Sequence, residues 1–482
     1  MLKVGGFSEL KPDQKIIEEK IFDIVKKNYR QFGYNPIETP AVERNEVLTA
    51  KGGGEVSKQI FGVYGLAQGA DDLKKYSLHF DLTVPFARYV LDYKGELTFP
   101  FKRSQIQKVW RGERQQRGRS REFYQADIDV IWEDKPHPNP LLKGEGIKGG
   151  DYLFYDAEVI NIGYKTYLEI FEKFNLDLKI KININNKKII SGFINALGLG
   201  EKFSEISVII DNKEKISEED FRKKLEEIVE MFLGNIGNNK ENNNNEMFFP
   251  NISTEELVQK IIDFTNFKAN FDNLEEIIQL VSPHSVSPKG REVATEELEK
   301  GISELKTVLK NAYLLGISKQ DIVINLGIIR GLDYYTGTIF ETFIEGDRKL
   351  GSIASGGRYE DFTKHLDKKT KFSGVGFSMG ITRFEDYLFE KLDMQKQAKT
   401  TSEYLIINFE QTIEESLKLY NNLLKTGKKV EFYPESDKLK KQFRYADNKG
   451  IKYCILLGEG ELEKGVYTMK NMANGESEEI SL

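Results

Sequence analysis

The sequence predicts an α+β protein, on three observations. Residues 108–129, KVWRGERQQRGRSREFYQADID, place two extended runs around a polar, glycine-bearing loop and read as a β-hairpin. Residues of about 196–319 change to helical spacing. Residues 403–482 alternate short apolar strands with helices, a pattern that implies a parallel sheet covered by helices.

Composition bounds the class. A chain of 482 residues with 39% hydrophobic and 30% charged side chains is globular and long enough for a sizeable core in several domains. Its net charge of −6 excludes a generally basic nucleic-acid coat, so any contact with RNA must use local patches. The single cysteine excludes an intrachain disulfide and a Cys-rich metal site; Cys454 sits in the apolar run Tyr453–Leu457 and reads as core. No N-terminal apolar core of a signal peptide is present and no stretch approaches the length of a membrane span, so the expected compartment is the reducing cytosol.

In chain order, residues 13–33 form an amphipathic helix with Ile17, Ile21, Ile24, Val25, Tyr29 and Phe32 on one face, stopped by Gly33. Tyr34–Pro40 leaves extended, because each proline biases its predecessor away from the helix. In YSLHFDLTVPFARYVL, residues 76–91, Asp81 and Thr83 follow a short strand; on the sequence alone Asp81 reads as the cap of the helix beginning near Val84, while the family resemblance given below implies a carboxylate facing a ligand's ammonium group. His79 lies in the strand and reads as structural.

The hairpin is the chain's densest cationic stretch. From Phe101 to Arg121 eight Lys or Arg (Lys102, Arg103, Lys108, Arg111, Arg114, Arg117, Arg119, Arg121) face one acid, Glu113. A guanidinium holds phosphate through two parallel donors and stacks on flat rings, so this density suits a nucleotide triphosphate. Residues 133–151 are rich in Pro and Gly and read as an inserted surface loop, followed by a helix over 156–174. Capping boxes at Ser217-x-x-Asp220 and Ser253-x-x-Glu256 open helices, and the Asn-rich tract 238–245 reads as low-complexity and disordered. Three further runs carry chemistry: RGLDYYTGTIFE at 330–341, ASGGRY at 354–359 and SGVGFSMGITR at 373–383. Glycine at alternate positions in a strand weakens it unless something must approach closely; an adenine ring would qualify.

These runs together resemble the class II aminoacyl-tRNA synthetases, and RGRSREFYQADID with RGLDYYTG resembles the histidine-specific branch. The helix and extended segment near 13–40 are similar to motif 1, the hairpin to motif 2 and 373–383 to motif 3, although the acid that usually precedes the motif 3 arginine is here Thr382. The resemblance implies a class II antiparallel sheet flanked by helices, with a helical insertion and a C-terminal α/β anticodon-binding domain. The implied domains are 1–195 and 320–398 for the catalytic core, 196–319 for the insertion and 399–482 for the anticodon-binding domain. The implied reaction activates histidine with ATP and transfers it to the 3′ end of tRNA(His), with Mg2+ on the pyrophosphate oxygens and a homodimer as the assembly.

By motif, Arg330 and Arg111 are the catalytic cations, and Arg111, Arg119, Phe123 and Arg383 bind ATP, with Phe123 and Arg383 on either side of the adenine. Asp81, Thr83, Gln125, Asp129, Arg330, Tyr334, Tyr335 and Tyr359 bind histidine. Within that shell Asp129, where many relatives have Glu, and Tyr335 read the two ring nitrogens. Arg114 and Gln116 match positions that read the acceptor end of the tRNA. A catalytically silent relative is opposed by the presence of RGLDYYTG, the motif arginines and the C-terminal unit.

Overall fold

The computed structural model describes residues 3–50, 59–66, 75–113, 118–133, 152–213, 216–238, 253–280, 288–329, 335–367 and 369–482. The predicted surface loop after Glu133 and the Asn-rich tract after Asn238 lie outside the described residues. The chain forms two compact units, Met1–Phe7 with Ile24–Phe384 and Ser8–Asp23 with Glu385–Leu482.

The first unit is built on a sheet that has eight strands among the described residues: β1 Asn35–Pro36, β2 Phe101–Trp110, β3 Glu122–Glu133, β4 Ile180–Asn186, β5 Ile322–Ile324, β6 Thr338–Ile344, β7 Ala354–Tyr359 and β8 Phe372–Gly380. Their spatial order is β1-β2-β3-β8-β7-β6-β4-β5. The pairings from β2 through β4 are antiparallel, while β1 and β5 add to the two edges in parallel. The predicted hairpin is the β2–β3 pair, with Arg103 opposite Asp129 and Gln107 opposite Gln125.

The helices include α1 Pro12–Gln31, α2 Thr83–Tyr93, α3 Leu153–Lys173, α4 Lys187–Ala196, α5 Phe203–Asp211, α6 Glu218–Asn238, α7 Thr254–Asn266, α8 Pro288–Leu314 and α9 Ile381–Lys391. In α1, Ile17, Ile21, Val25 and Tyr29 are buried, and the Tyr29 hydroxyl donates to the Ala126 carbonyl of β3 at 3.0 Å. Both predicted capping boxes form their backbone bond: Asp220 N–H donates to Ser217 Oγ at 3.0 Å and Glu256 N–H to Ser253 Oγ at 3.1 Å. α3 packs so tightly on the sheet that a Cβ on Gly163 would enter the ring of Phe377. Beside it, buried Arg358 is paired with buried Asp156 of α3, its Nε donating to Oδ1 at 3.1 Å.

The second unit carries β9 Tyr404–Ile406, α10 Ile413–Lys425, β10 Val430–Phe432, α11 Leu439–Lys449 and β11 Tyr453–Leu456 where the sequence predicts them. Strands β10, β9 and β11 are parallel, as expected. The sheet then departs from that expectation: β12 Val466–Asn471 and β13 Ser477–Ser481 add to β11 as an antiparallel hairpin. β12 is half-buried along its whole length and β13 is polar and mostly exposed, so no alternation of buried and exposed positions marks them. One face of this sheet packs Leu405, Ala446 and Cys454, and the other packs Ile406, Leu419 and Ile455. Cys454 is buried, as predicted, and burial pushes its thiol up to about 12.

Candidate active site

Side chains alternate across a strand, so Gln125, Asp127 and Asp129 of β3 share one face of the sheet. Opposite them stand Gln107, Gln105 and Arg103 on β2, and Gly380, Ser378 and Gly376 on β8. A polar floor therefore crosses the middle of the sheet. Over its outer part lies a cavity of about 280 Å³, lined by Arg111, Arg119, Phe123, Gln125 and Arg383. The predicted ATP-binding residues thus converge from two separate segments of the chain, the hairpin and the start of α9.

Main-chain carbonyls aim two of the cations, Arg111 and Arg383. Arg111 Nε donates to Phe80 O at 3.1 Å, and its guanidinium lies 5.1 Å from the ring centroid of Phe123. Arg383 Nε donates to Gly118 O at 2.9 Å and Nη1 to Ser352 O at 2.7 Å. Arg119 faces Glu113 at 3.9 Å, a half-exposed pair that holds it loosely. Thr382, standing where an acid is usual, accepts from Tyr124 N–H at 2.9 Å and ties the start of α9 to β3.

Beside this cavity lies a buried cluster of acids and tyrosines. Asp129 Oδ1 accepts from the Tyr359 hydroxyl at 2.6 Å, and Asp129 Oδ2 pairs with Arg103 Nη2 at 2.6 Å. Burial raises the Asp129 carboxyl, while Arg103 and Tyr359 favour its ionised form. Tyr335 is raised by burial and then by the fields of Asp129, Asp127 and Asp81, so its hydroxyl stays neutral. Burial also raises Asp81, against the Val84 N–H and the charge of Arg111. Asp81 Oδ1 accepts that Val84 N–H at 3.0 Å, so its carboxylate caps the first turn of α2 while lying in the field of the site. The two readings of Asp81 are compatible in one geometry. Thr83 is the first residue of α2. Gln125, whose Nε2 donates to Ser378 Oγ at 2.7 Å, joins the cluster to the cavity. Arg330, Tyr334, Arg114 and Gln116 lie outside the described residues.

Three features differ from what sequence alone predicts. The cations of the hairpin divide in role: Lys102 pairs with Glu158 at 2.6 Å, Lys108 with Glu122 at 2.7 Å, and Arg103 is fully buried. Strand alternation turns Lys102 and Lys108 to the opposite face of the sheet, where they serve the scaffold, whereas Arg103 stays on the site face beneath Asp129. Next, the glycines of β7 and β8 make room for site side chains of this chain. A Cβ on Gly376 would sit 2.9 Å from Asp129 Cγ, one on Gly374 2.9 Å from Tyr359 Cε2, and one on Gly357 2.7 Å from Tyr335 Cδ1. Lastly, Arg103 and Asp127 belong to the cluster although no motif marks them. The signal that could have found them is the period-two run Gln125-x-Asp127-x-Asp129 facing a strand with Arg103 and Gln105. His79, as predicted, is structural: it is buried, with Nδ1 3.1 Å from Pro40 O and Nε2 2.7 Å from Lys108 O.

Among the described residues no group of three or more His, Cys, Asp or Glu side chains is placed to hold a metal ion, and Glu113 is the acid that lines the cavity. No helix among the described residues is long and apolar enough to cross a membrane.

Known proteins share both the sequence and this geometry. A family model described as histidyl-tRNA synthetase matches residues 6–136 and 239–384, and one described as anticodon binding domain matches 403–482. The histidine–tRNA ligase of Clostridium tetani is 37% identical over 479 residues, covering 99% of this chain and 95% of that protein. The histidine–tRNA ligase of Clostridium acetobutylicum is 36% identical over 478 residues, covering 99% and 97%. The crystal structure of histidyl-tRNA synthetase from Nostoc sp. PCC 7120 superposes with a TM-score of 0.79 at 32% identity, covering 100% of this chain and 97% of that one. With the motif arginines gathered around one cavity, and relatives matching along almost the entire length, the chain belongs to the histidyl-tRNA synthetase family.

Proposed function

We propose that this protein is a histidine–tRNA ligase, which activates histidine with ATP and passes it to the 3′ end of tRNA(His). The observation that carries the reading is the junction of an arginine-lined cavity with a buried acid–tyrosine cluster on one sheet face. In the first step a carboxylate oxygen of histidine forms a bond to the α-phosphorus and the bond to the bridging oxygen breaks, releasing pyrophosphate. Both partners are anionic, so fixed cations and positioning carry the acceleration. Arg111 and Arg330 act on the α-phosphate and the attacking carboxylate, Arg119 on the γ-phosphate side, and Phe123 and Arg383 on the adenine. Asp81, Thr83 and Gln125 hold the α-ammonium side of histidine, with Tyr334 and Tyr359 completing the shell. Asp129 and Tyr335 read the ring; a substrate without matching ring nitrogens leaves buried polar groups unpaired, a heavy penalty.

Glu113, the acid that lines the cavity, would hold a magnesium ion carried on the triphosphate. Bound there, it would neutralise charge on the leaving pyrophosphate. Residues 1–195 and 320–398 serve as the catalytic core, 196–319 as an insertion against the tRNA and 399–482 as the anticodon-binding domain, with Arg114 and Gln116 at the acceptor end. The working assembly is a cytoplasmic homodimer. Amino-acid-dependent ATP–pyrophosphate exchange across the twenty amino acids tests the reading. Exchange with histidine alone is expected; exchange with a different amino acid, or with none, overturns it.

A further inference from the structure

Asp127 lies between Gln125 and Asp129 on the site face of β3 and is almost fully buried. Its Oδ2 is 3.7 Å from Arg103 Nη2, the same nitrogen that pairs with Asp129. Its Oδ1 is buried without a hydrogen-bond partner. Arg103 is fully buried, its Nη1 donates to Gln105 Oε1 at 2.8 Å, and its guanidinium lies 4.4 Å from the centroid of Phe86. One guanidinium therefore serves two carboxylates, which leaves the pair one net negative charge when both are ionised. A buried charge persists only where something compensates it, and the partnerless oxygen marks where that compensation is missing.

We propose that Asp127 is a further specificity-determining residue for histidine, a second carboxylate acceptor beside Asp129 whose partnerless Oδ1 is completed by the bound amino acid. The proposal rests on the histidine-ligase reading. The surroundings of Asp127 make its charge responsive to such a ligand. Burial raises its carboxyl to about 7, with Arg103 of β2 and a hydrogen bond with Ser378 of β8 opposing, and with Asp129 and Asp81 reinforcing. Tyr29 of α1 and Tyr335 also stand in its field, both raised by burial and then by the neighbouring acids, and both neutral. An N–H donor or cation brought to Oδ1 favours the ionised form. Histidine binding thus lowers the Asp127 pKa and expels the proton that the empty site holds near neutral pH.

The test is calorimetry of histidine binding to the full-length protein at pH 7 in two buffers of different ionisation enthalpy, together with KM values for histidine and ATP. A group half-protonated at pH 7 should release about half a proton. In Asp127→Asn that release should disappear and KM for histidine should rise at least tenfold, while KM for ATP changes less than threefold. Asp127→Glu should recover part of both. No proton release by the native protein, or an Asp127→Asn variant with the native release and KM, overturns the proposal. Should Asp127→Asn fail to fold, the native release and Asp127→Glu still decide. A native chain inactive with histidine overturns the ligase reading and this proposal with it; an active native chain with an indifferent Asp127 overturns this proposal alone.

Discussion

Gly376→Ala is a one-methyl change with a large expected effect on histidine and a small one on ATP. The added Cβ would stand 2.9 Å from Asp129 Cγ and 3.3 Å from Ile128 O, and closer still to Asp129 Oδ1. The strand pairing of Gly376 with Asp129 and Gly357 fixes the backbone on both sides, so the carboxylate must yield. Turning it away breaks two bonds of 2.6 Å, one from the Tyr359 hydroxyl and one to Arg103. Each hydrogen bond to a charged group is worth about 1.5–3 kcal/mol. Losing the equivalent of one in substrate recognition corresponds to roughly a 10- to 150-fold rise in KM for histidine. The Arg111–Arg383 cavity does not include Gly376 among its lining residues, so KM for ATP should move less than threefold. Pyrophosphate exchange at varied histidine and at varied ATP measures both. A Gly376→Ala enzyme with native KM for histidine would refute the view that the β8 glycines exist to seat the site side chains.

Arg330→Ala should lower kcat of pyrophosphate exchange by at least a hundredfold with a modest change in histidine binding; native kcat removes Arg330 from the mechanism. Glu385, buried in the second unit, is raised to about 9 by burial, then by Glu18 and Asp386. Because its folded pKa lies above the unfolded value, it contributes stability below about pH 4.5 that is lost as pH rises toward 9. Glu385→Gln should therefore stabilise the protein by roughly 5 kcal/mol at pH 8 and by under about 1 kcal/mol at pH 5, by urea unfolding at the two pH values. Asp156→Asn leaves buried Arg358 without its carboxylate and should destabilise the first unit by about 3–5 kcal/mol, read as a shift in urea midpoint. The Cys454 thiol, pushed up to about 12 in the core, should resist a thiol reagent at pH 8 in the native protein and react once per chain in urea.

By itself the sequence determined most of the elements and singled out the hairpin and motif residues that line the cavity, because local rules govern both. Apolar periodicity places α1, α2, α3 and the alternating strands and helices of the second unit. The arginine-bearing hairpin and the runs at 330–341, 354–359 and 373–383 announce their chemistry through residue types at short spacing. The hairpin β12–β13 is not legible in the sequence, since neither the uniformly half-buried β12 nor the exposed β13 has the alternation that marks a buried face. Only the tertiary structure decided what each cation and glycine is for. Lys102, Arg103 and Arg111 look alike in sequence, yet one pairs with Glu158, one lies buried under two aspartates and one faces the cavity. Their roles depend on strand register and on partners more than twenty residues away, and a buried charge takes its energy from those partners rather than from its neighbours in the chain.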